Sequence, residues 1–309
     1  MARRRKGRPV NGILVLDKPT GMSSNAALQA ARRLFDAQKA GHTGALDPLA
    51  SGVLPVCFGE ATKFSQYLLD ADKAYHSVFR LGVHTASGDA EGDELSRCDA
   101  SHIDRQAIEA VADEFRGEIE QIPSMYSALK FQGQPLYKLA RKGIEVERKS
   151  RQVTIHELAL GEFVAGEFPS LAVDVHCSKG TYIRSIAEDL GAALGVGGHV
   201  EVLRRTMAGP FNLTQAITLD ELRDLSEREG PEALDALLLP VETPVMHLPE
   251  VAISADLGHY FLHGQPVMKS ALPEGLLRVY VDGLGFVGLG ECNDDAMLAP
   301  RRLFQFSAN

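Results

Sequence analysis

The stretch KAGHTGALDPLASGVLPV, residues 39–56, has a composition that neither a helix nor a strand interior tolerates. Its first part concentrates residues that favour turns, namely Gly41, Thr43, Gly44, Asp47, Pro48, Ser51 and Gly52. The apolar run VLPVCFG at 53–59 then predicts a buried strand. One carboxylate, Asp47, is therefore expected in the middle of a turn-rich loop that has a strand behind it.

Two interpretations of Asp47 follow from this pattern. An aspartate before a proline commonly opens a turn, so a purely structural role is the simpler interpretation. Its surroundings favour chemistry instead, because His42 lies upstream, the glycines allow close approach of another backbone, and a strand supports the loop. A nucleophilic carboxylate needs such a rigid base. The local sequence leaves both interpretations open.

A carboxylate that stays ionised in a partly dry site needs a cation beside it. Arg184 is the best candidate, because SKGTYIRS at 178–185 opens a predicted helix just after a strand. Glu188 lies on the same helical face, so an ion pair between Arg184 and Glu188 is the alternative. Arg204 and Arg205 compete for the role, and each is equally compatible with a phosphate contact or a surface ion pair.

The alternating segment KAYHSVFRLG at 73–82 predicts a strand that carries Tyr75 on one face with Phe79 and Leu81. A strand tyrosine usually belongs to the core, with its hydroxyl at the rim. The functional alternative is a ring that stacks on a nucleobase. Leu203, within HVEVLRRT, has the pattern of an ordinary core residue.

Apolar periodicity along the chain predicts a mixed α+β fold. We expect strands at 12–19, 53–59, 73–82, 151–163, 170–178 and 199–209, and helices at 25–35, 60–69, 103–115, 181–195, 218–228 and 231–238. From about 249 the chain changes to short strands separated by Gly and Pro turns. These features predict a first domain at 1–248 and a small β domain at 249–309.

The composition excludes several classes of protein. No apolar run in the 309 residues is long enough to span a bilayer, and the basic N-terminal segment lacks the features of a secretory signal. The cysteines Cys57, Cys98, Cys177 and Cys292 form no CxxC pair, and the ten histidines have no metal-binding spacing. We therefore expect a cytoplasmic protein with no metal and no membrane association.

Charge is distributed unevenly in this protein of net charge −9. Residues 89–120 contain eleven acidic and three basic groups, whereas residues 1–10 contain five basic groups and no acid. Residues 129–151 contain seven basic groups against two glutamates. Each basic run could be a solvated surface, but two such runs on an acidic protein favour a binding site for a polyanion.

The glycine-rich segments do not match the common nucleotide-binding or hydrolase motifs. GHTG at 41–44 lacks the GxxxxGK[ST] pattern of a phosphate-binding loop. The glycines at 191–198 follow a helix, which is the wrong order for a dinucleotide fingerprint. No GxSxG nucleophile elbow is present.

Taken together, six segments resemble the bacterial tRNA pseudouridine-55 synthases of the TruB family. They are LDKPTGMSSN (16–25), GHTGALDPLASGVLPVCFGEATKFSQYLL (41–69), KAYHSVFRLG (73–82), IPSMYSALK (122–130), CSKGTYIRS (177–185) and HVEVLRRT (199–206). The resemblance covers nearly the whole chain and includes the terminal RRLF (301–304). It implies an enzyme that isomerises the T-loop uridine of tRNA to pseudouridine by base flipping, without cofactor. Nothing in the sequence suggests an obligate oligomer, so we expect a monomer with no obligate protein partner.

The resemblance also implies residue roles. Asp47 matches the catalytic aspartate, which would attack either uracil C6 or ribose C1′. Tyr75 matches a tyrosine that stacks on the base and could accept a proton, and Arg184 matches the arginine paired with the aspartate. The implied substrate-binding residues are His42, Asp89, Tyr182, Leu203, Lys130 and Lys18, the last belonging to a motif that supports the active-site loop.

Two larger features complete the expectation. The basic segment at about 124–151 matches a thumb-like insertion that closes on the RNA arm. Residues 249–309 resemble a PUA-like β domain, which would contact the acceptor-stem side of tRNA, while 1–248 would form a mixed-sheet pseudouridine synthase catalytic domain. The rival hypotheses are an RNA-folding protein in which chemistry is secondary, an aspartate-dependent nucleoside hydrolase, and a guide-RNA-dependent relative.

Overall fold

A computed structural model describes residues 6–127, 129–293 and 297–305. Its strands are β1 Gly12–Lys18, β2 Ala40–His42, β3 Ser51–Phe58, β4 Lys73–Leu81, β5 Val83–Thr85, β6 Glu94–Arg97, β7 Gly117–Gln121, β8 Lys130–Phe131, β9 Gln134–Pro135, β10 Arg151–Val164, β11 Ser170–Cys177, β12 Gly198–Ala208, β13 Phe211–Asn212, β14 Ile217–Thr218, β15 Glu250–Ile253, β16 Val267–Met268, β17 Gly275–Val281, β18 Gly285–Cys292 and β19 Met297–Leu303. Its α-helices are α1 Ser24–Leu34, α2 Ser65–Asp70, α3 Arg105–Ala112, α4 Leu136–Ala140, α5 Ile183–Ala193, α6 Leu219–Glu229 and α7 Ala255–Leu262.

A ten-stranded mixed sheet forms the larger part of the molecule. Its main order is β14-β1-β3-β12-β4-β11-β10-β7, with β2 paired to β3 and β13 paired to β12. The β1–β14 and β3–β12 pairs are parallel, and the remaining neighbours are antiparallel. The predicted α+β class with a mixed sheet is confirmed.

The glycine-rich loop lies at the middle of this sheet, beside the first half of β3. Strand β2 pairs with the end of β3, at Val56–Phe58, whereas β12 pairs with its beginning, at Ser51 and Gly52. The loop at 43–50 therefore leaves the sheet where β3 changes neighbours. It lies next to β12 and β4, which carry Leu203 and Tyr75.

Apolar clusters cover both faces of β1 and β3 in the large sheet. Leu14 and Leu54 pack with α1 and α6 on one face, and Ile13 and Val53 pack toward the C-terminal sheet on the other. A third cluster joins α3 and α5 to β4, β11 and β12. The loop thus borders strands that are held by buried side chains. This packing provides the rigid support that a functional side chain needs.

A five-stranded sheet of order β15-β17-β18-β19-β16, with helix α7, forms the C-terminal part. It packs on the large sheet through a shared apolar cluster that includes Phe64, Phe286 and Leu289. Two polar contacts cross the same junction, from Lys63 Nζ to the Leu303 carbonyl at 2.9 Å and from the Gln305 amide to Glu60 at 2.7 Å.

Several local predictions need correction. The segment predicted as one helix at 60–69 is a 3-10 helix, Gly59–Lys63, followed by α2. The predicted helix at 231–238 is a 3-10 helix over Pro231–Leu237. The hairpin of β5 and β6, the edge strand β7 and the helix α7 were not predicted. Within the described part of the chain, no helix combines the length and apolarity needed to cross a membrane.

Candidate active site

The glycine-rich loop is attached to three neighbouring elements by hydrogen bonds. Ser24, at the start of α1, accepts a bond from the Leu46 amide at 2.7 Å and donates to the Leu46 carbonyl at 3.0 Å. Lys18 Nζ lies 3.5 Å from the Pro48 carbonyl, and the Gly21 amide donates to the same carbonyl at 2.8 Å. Asp47 thus lies between two fixed backbone segments.

Arg184 contacts Asp47 through a nearly buried guanidinium. Its Nη2 lies 3.1 Å from Asp47 Oδ2 and also donates to the Tyr126 carbonyl at 3.0 Å. Its Nη1 donates to the Ser87 carbonyl at 2.8 Å and lies 3.4 Å from Asp89 Oδ2. The alternative pairing with Glu188 does not occur, because the guanidinium faces Asp47 and Asp89 instead.

The charge state of Asp47 depends on opposing influences. Its side chain is 43 % exposed toward a cavity, but protein surrounds the rest of the carboxylate. Burial raises the pKa of Asp47 above its ordinary value, Arg184 and Lys18 act to lower it, and Asp89 adds to the rise. Arg184 thus favours the ionised form, as expected, but does not fully offset burial.

A cavity of about 250 Å³ opens over Asp47. We call it the Asp47 cavity. Its walls combine one ion pair with apolar, aromatic and hydroxyl-bearing side chains, from Ala45, Leu46, Asp47, Tyr75, Ser127, Thr181, Tyr182, Ile183, Arg184 and Leu203. Five of the residues predicted from the sequence therefore meet in one place, namely Asp47, Tyr75, Arg184, Tyr182 and Leu203.

The register of the central strands explains how Tyr75 and Leu203 come together. On β12, Leu203 lies opposite Ser77 and Arg205 lies opposite Tyr75 on β4. Leu203 and Arg205 are two residues apart and so share a face of the sheet. Burial raises the pKa of the Tyr75 phenol, and the positive charge of Arg205 opposes that rise. Tyr75 is therefore a neutral phenol at physiological pH.

Tyr182 is held at the cavity wall by a residue that the sequence did not indicate. The buried Gln121 accepts a bond from the Tyr182 amide at 2.9 Å and donates to the Tyr182 carbonyl at 3.1 Å. The guanidinium of Arg151 lies 5.2 Å from the centre of the Tyr182 ring. These contacts fix the backbone where α5 begins, two residues before Arg184.

Four predicted residues lie outside the cavity wall. Asp89 is buried behind Arg184, where it accepts bonds from Ser87 Oγ and the Glu91 amide. Its position suits an anchor for the guanidinium better than the predicted contact with a nucleotide. Lys18 lies beneath the loop, and burial lowers its pKa to about 8. His42, on β2, and Lys130, exposed on β8, do not line the cavity.

His42 has an unusual environment for a polar side chain. Its Nδ1 is buried without a hydrogen-bond partner among the described residues. Burial lowers the pKa of His42, and the charge of Arg205 lowers it further. The imidazole is therefore neutral at physiological pH, which suits stacking on a base better than pairing with phosphate.

Similarity to known proteins identifies the family. The N-terminal domain of TruB family pseudouridylate synthases matches residues 32–183. Two C-terminal domains match the remainder, that of tRNA pseudouridylate synthase B at 184–246 and that of pseudouridine synthase II TruB at 249–304. A tRNA pseudouridine synthase B of Pseudomonas aeruginosa is 56 % identical over 96 % of this chain and 97 % of its own length. The chain belongs to the TruB family.

Other relatives agree with this assignment. A tRNA pseudouridine synthase B of Vibrio vulnificus is 51 % identical over 99 % of both chains. A solved Cbf5-Nop10-Gar1 complex contains a chain with a TM-score of 0.70 and 29 % identity, covering 95 % of this chain and 85 % of that one. A chain of the archaeal box H/ACA sRNP Nop10-Cbf5 complex has a TM-score of 0.69 and 26 % identity, covering 99 % and 93 %.

Membership of the TruB family confirms the resemblance seen in the sequence. The protein is a pseudouridine synthase, an isomerase, with the mixed α+β fold and small C-terminal β domain expected of the family. The domain boundary at 248/249 and the roles of individual residues stay predictions. So do the monomeric state and the cytoplasmic location.

Proposed function

We propose that this TruB family member converts the T-loop uridine at position 55 of tRNA to pseudouridine, with Asp47 as the nucleophile. One observation carries the proposal: the Asp47 carboxylate lies 3.1 Å from a nearly buried guanidinium at the wall of a base-sized cavity. The names of the relatives supply tRNA as the substrate class.

Base flipping accounts for the composition of the cavity. A uridine within a folded RNA loop cannot reach Asp47 until it leaves its stack, at a cost of a few kcal/mol. Tyr75, Leu203 and Ile183 offer aromatic and apolar surface that replaces the lost stacking. We expect the extruded uracil to lie against these side chains.

The chemistry needs a carboxylate rather than a cofactor. Asp47 would form a bond to the nucleotide, at uracil C6 or at ribose C1′, and the bond between C1′ and N1 would break. The detached uracil would turn and bond to C1′ through C5, the bond to Asp47 would break to restore the carboxylate, and C5 would lose a proton while N1 gains one. Because water could otherwise trap the ribose, the filled cavity must exclude it.

We propose that RNA binding beyond the cavity uses the basic thumb and the C-terminal β domain. The thumb, residues 124–151, carries Lys130, Lys138, Arg141, Lys142, Arg148, Lys149 and Arg151. We propose that it closes on the T-arm and that the C-terminal β domain contacts the acceptor-stem side. Recognition would rest on RNA shape and on unstacked bases.

The decisive experiment measures tritium release from a tRNA transcript labelled at uracil C5. Asp47→Asn should abolish release while tRNA affinity stays within threefold of wild type, because the amide is isosteric but not nucleophilic. Asp220→Asn is the matched control, since that carboxylate is 85 % exposed in a surface pair. Turnover by Asp47→Asn would remove Asp47 from the mechanism.

The same experiment separates the rival functions. Binding of tRNA without any release by the wild type would favour an RNA-folding protein. Release of free uracil would identify a nucleoside hydrolase. Activity only after addition of a guide RNA would place the chain with the guide-dependent relatives.

A further inference from the structure

Arg205 is among the most deeply buried side chains of the molecule, with a relative exposure of 1 %. Its Nε donates to the Val53 carbonyl at 2.7 Å and its Nη2 to the Gly44 carbonyl at 2.9 Å. Tyr75 lies opposite Arg205 across the β4–β12 pair, and the charge of the guanidinium acts to lower the pKa of the Tyr75 phenol. One side chain thus joins β3 to the glycine-rich loop beside Tyr75.

The strand register places Arg205 between the loop and Tyr75. It lies opposite Tyr75 on β4 and opposite Gly52 on β3. A Cβ at Gly52 would lie 2.1 Å from the Arg205 carbonyl, and Gly52 has a φ of +103°. Glycine at this position therefore allows β12 to approach β3 closely, which brings the guanidinium under the loop.

The charge of Arg205 has no carboxylate to balance it among the described residues. Burial lowers the pKa of Arg205, and the negative charge of an ionised Tyr75 would oppose this effect. The charge of Arg205 also lowers the pKa values of three nearby side chains, Lys18, His42 and Lys73. Since a guanidinium does not lose its proton, a buried positive charge lies beside the phenol oxygen.

The reaction of a pseudouridine synthase gives a positive charge beside this phenol a role in proton transfer. Isomerisation breaks the C1′–N1 bond, whose electron pair stays with uracil, and forms a C1′–C5 bond with an electron pair from C5. One proton moves from C5 to N1, and none is gained or lost overall. A phenol that gives its proton to N1 and later takes the C5 proton ends unchanged. Between the two transfers it is a phenolate, which needs a cation in a dry site.

We propose that Arg205 is a positioning residue for Tyr75, which it orients toward the Asp47 cavity and stabilises as the phenolate formed between these two proton transfers. The guanidinium lies on the strand position opposite Tyr75. Its bonds to Gly44 and Val53 hold it in place while the base turns. The inference rests on the proposed function, because it needs uridine isomerisation in the cavity.

The first test is the titration of Tyr75 itself. A 3-fluorotyrosine placed at position 75 in the full-length protein gives a fluorine NMR signal that reports ionisation of that phenol. In Arg205→Lys, which keeps the charge but loses the fork, we expect the midpoint to lie at least one pH unit higher. The groups whose charges also act on this phenol are Cys177 and Asp47, and both are unchanged in the variant.

Arg204→Lys is the matched control for this titration. Arg204 is the neighbouring residue on β12, but it pairs with Asp17 at 2.6 Å and its side chain is 36 % exposed. Its replacement should leave the midpoint within 0.3 pH unit. An unmoved midpoint in Arg205→Lys, with melting temperature and tRNA affinity retained, would overturn the inference.

The second test is rescue of the reaction. Arg205→Lys should slow single-turnover tritium release at least tenfold at neutral pH. Placing the more acidic 3-fluorotyrosine at position 75 should then raise the rate of Arg205→Lys at least threefold. A merely structural role for Arg205 would not produce this increase. Absence of rescue in a folded variant that binds tRNA would contradict the proposal.

One test remains if Arg205→Lys does not fold. With Arg205 intact, fluorination at position 75 must change the pH dependence of the single-turnover rate, and an unchanged profile overturns the inference. A wild-type protein that releases no tritium defeats the proposed function instead. An active wild type whose Tyr75 titration ignores Arg205 defeats only the inference.

Discussion

At the scale of single residues, the four contacts of Arg184 make its replacement by lysine informative. An ammonium keeps the charge but cannot reach Asp47, Asp89 and two carbonyls at once. We expect Arg184→Lys to slow single-turnover tritium release by about a hundredfold, similar to the loss of one fixed hydrogen-bond donor in other active sites. Affinity for tRNA should stay within threefold.

The matched control for this variant is Arg223→Lys. Arg223 pairs with Asp220 on α6, and its side chain is 52 % exposed. That replacement should leave both rate and affinity unchanged. A near-wild-type rate for Arg184→Lys would show that the ion pair with Asp47 is not needed for the reaction.

Glu188 gives a pH-dependent prediction at the same scale. Burial raises the pKa of Glu188 from 4.5 to about 7, with Asp189 and Asp89 adding to the rise and Arg184 and Arg148 opposing it. Between about pH 4.5 and 7, Glu188 is therefore protonated in the folded state but ionised in the unfolded state. The free energy of unfolding consequently falls as pH rises through that range.

Glu188→Gln should remove this dependence. Its free energy of unfolding should exceed that of wild type by about 2 kcal/mol at pH 8 and by little at pH 4. The value at pH 8 is reduced from that of a fully buried carboxylate because the Glu188 side chain is 28 % exposed. Urea unfolding at both pH values measures the difference. Glu227→Gln, on the exposed face of α6, should show no such change, and equal behaviour of the two variants would refute the prediction.

Residue patterns predicted the groups that face the cavity better than those that support it. Asp47, Tyr75 and Arg184 were indicated by their local patterns, Tyr182 and Leu203 by the family resemblance, and all five meet in the structure. Arg205 and Gln121 were not identified as supports, because pattern analysis treats isolated arginines and glutamines as surface residues. Their burial depends on strand register and on contacts between distant segments, which periodicity does not reveal.

At the scale of elements, long periodic segments were predicted reliably and short irregular ones were not. Helix α7 was missed because it has only eight residues and contains Gly258. Gly258 is required there, since a Cβ would lie 2.4 Å from Val281 Cγ1. The segment 60–69 divides because Thr62 and Ser65 hydroxyls bond nearby carbonyls and Phe64 packs on Phe286.

The thumb is the element whose removal tests RNA binding. Deletion of residues 130–150 removes six basic groups and two glutamates. Because each phosphate contact contributes roughly −0.7 to −0.9 to the slope of log affinity against log salt, deletion should weaken tRNA binding and flatten that slope. Filter binding across a range of salt concentrations measures both effects.

A second thumb variant keeps the backbone intact. This triple variant neutralises the positive charges around α4 through the substitutions Lys138→Gln, Arg141→Gln and Lys142→Gln. It keeps the Tyr126 carbonyl that Arg184 contacts. This triple variant should flatten the slope while leaving the rate at saturating tRNA nearly unchanged. An unchanged slope in both variants would place the basic contact surface elsewhere on the molecule.

At the scale of the whole molecule, the junction between the two sheets predicts cooperative unfolding. The apolar cluster at this junction draws residues from both sheets, and the rings of Phe64 and Phe286 are 5.6 Å apart. A junction with this much shared core resembles the interior of one domain more than a mobile interface. We therefore expect one calorimetric transition for the full chain.

Leu289→Ala should destabilise that single transition. Leu289 is fully buried at the junction, so its truncation should cost about 2–5 kcal/mol through lost burial and the cavity left behind. Leu284→Ala is the matched control, since Leu284 is 50 % exposed in the turn between β17 and β18 and its loss should cost less than ~0.5 kcal/mol. Differential scanning calorimetry measures the number of transitions and their midpoint temperatures. Two separate transitions, of which Leu289→Ala lowers the midpoint of only one, would show that the C-terminal sheet unfolds independently. Its attachment to the large sheet would then be weaker than the shared core implies.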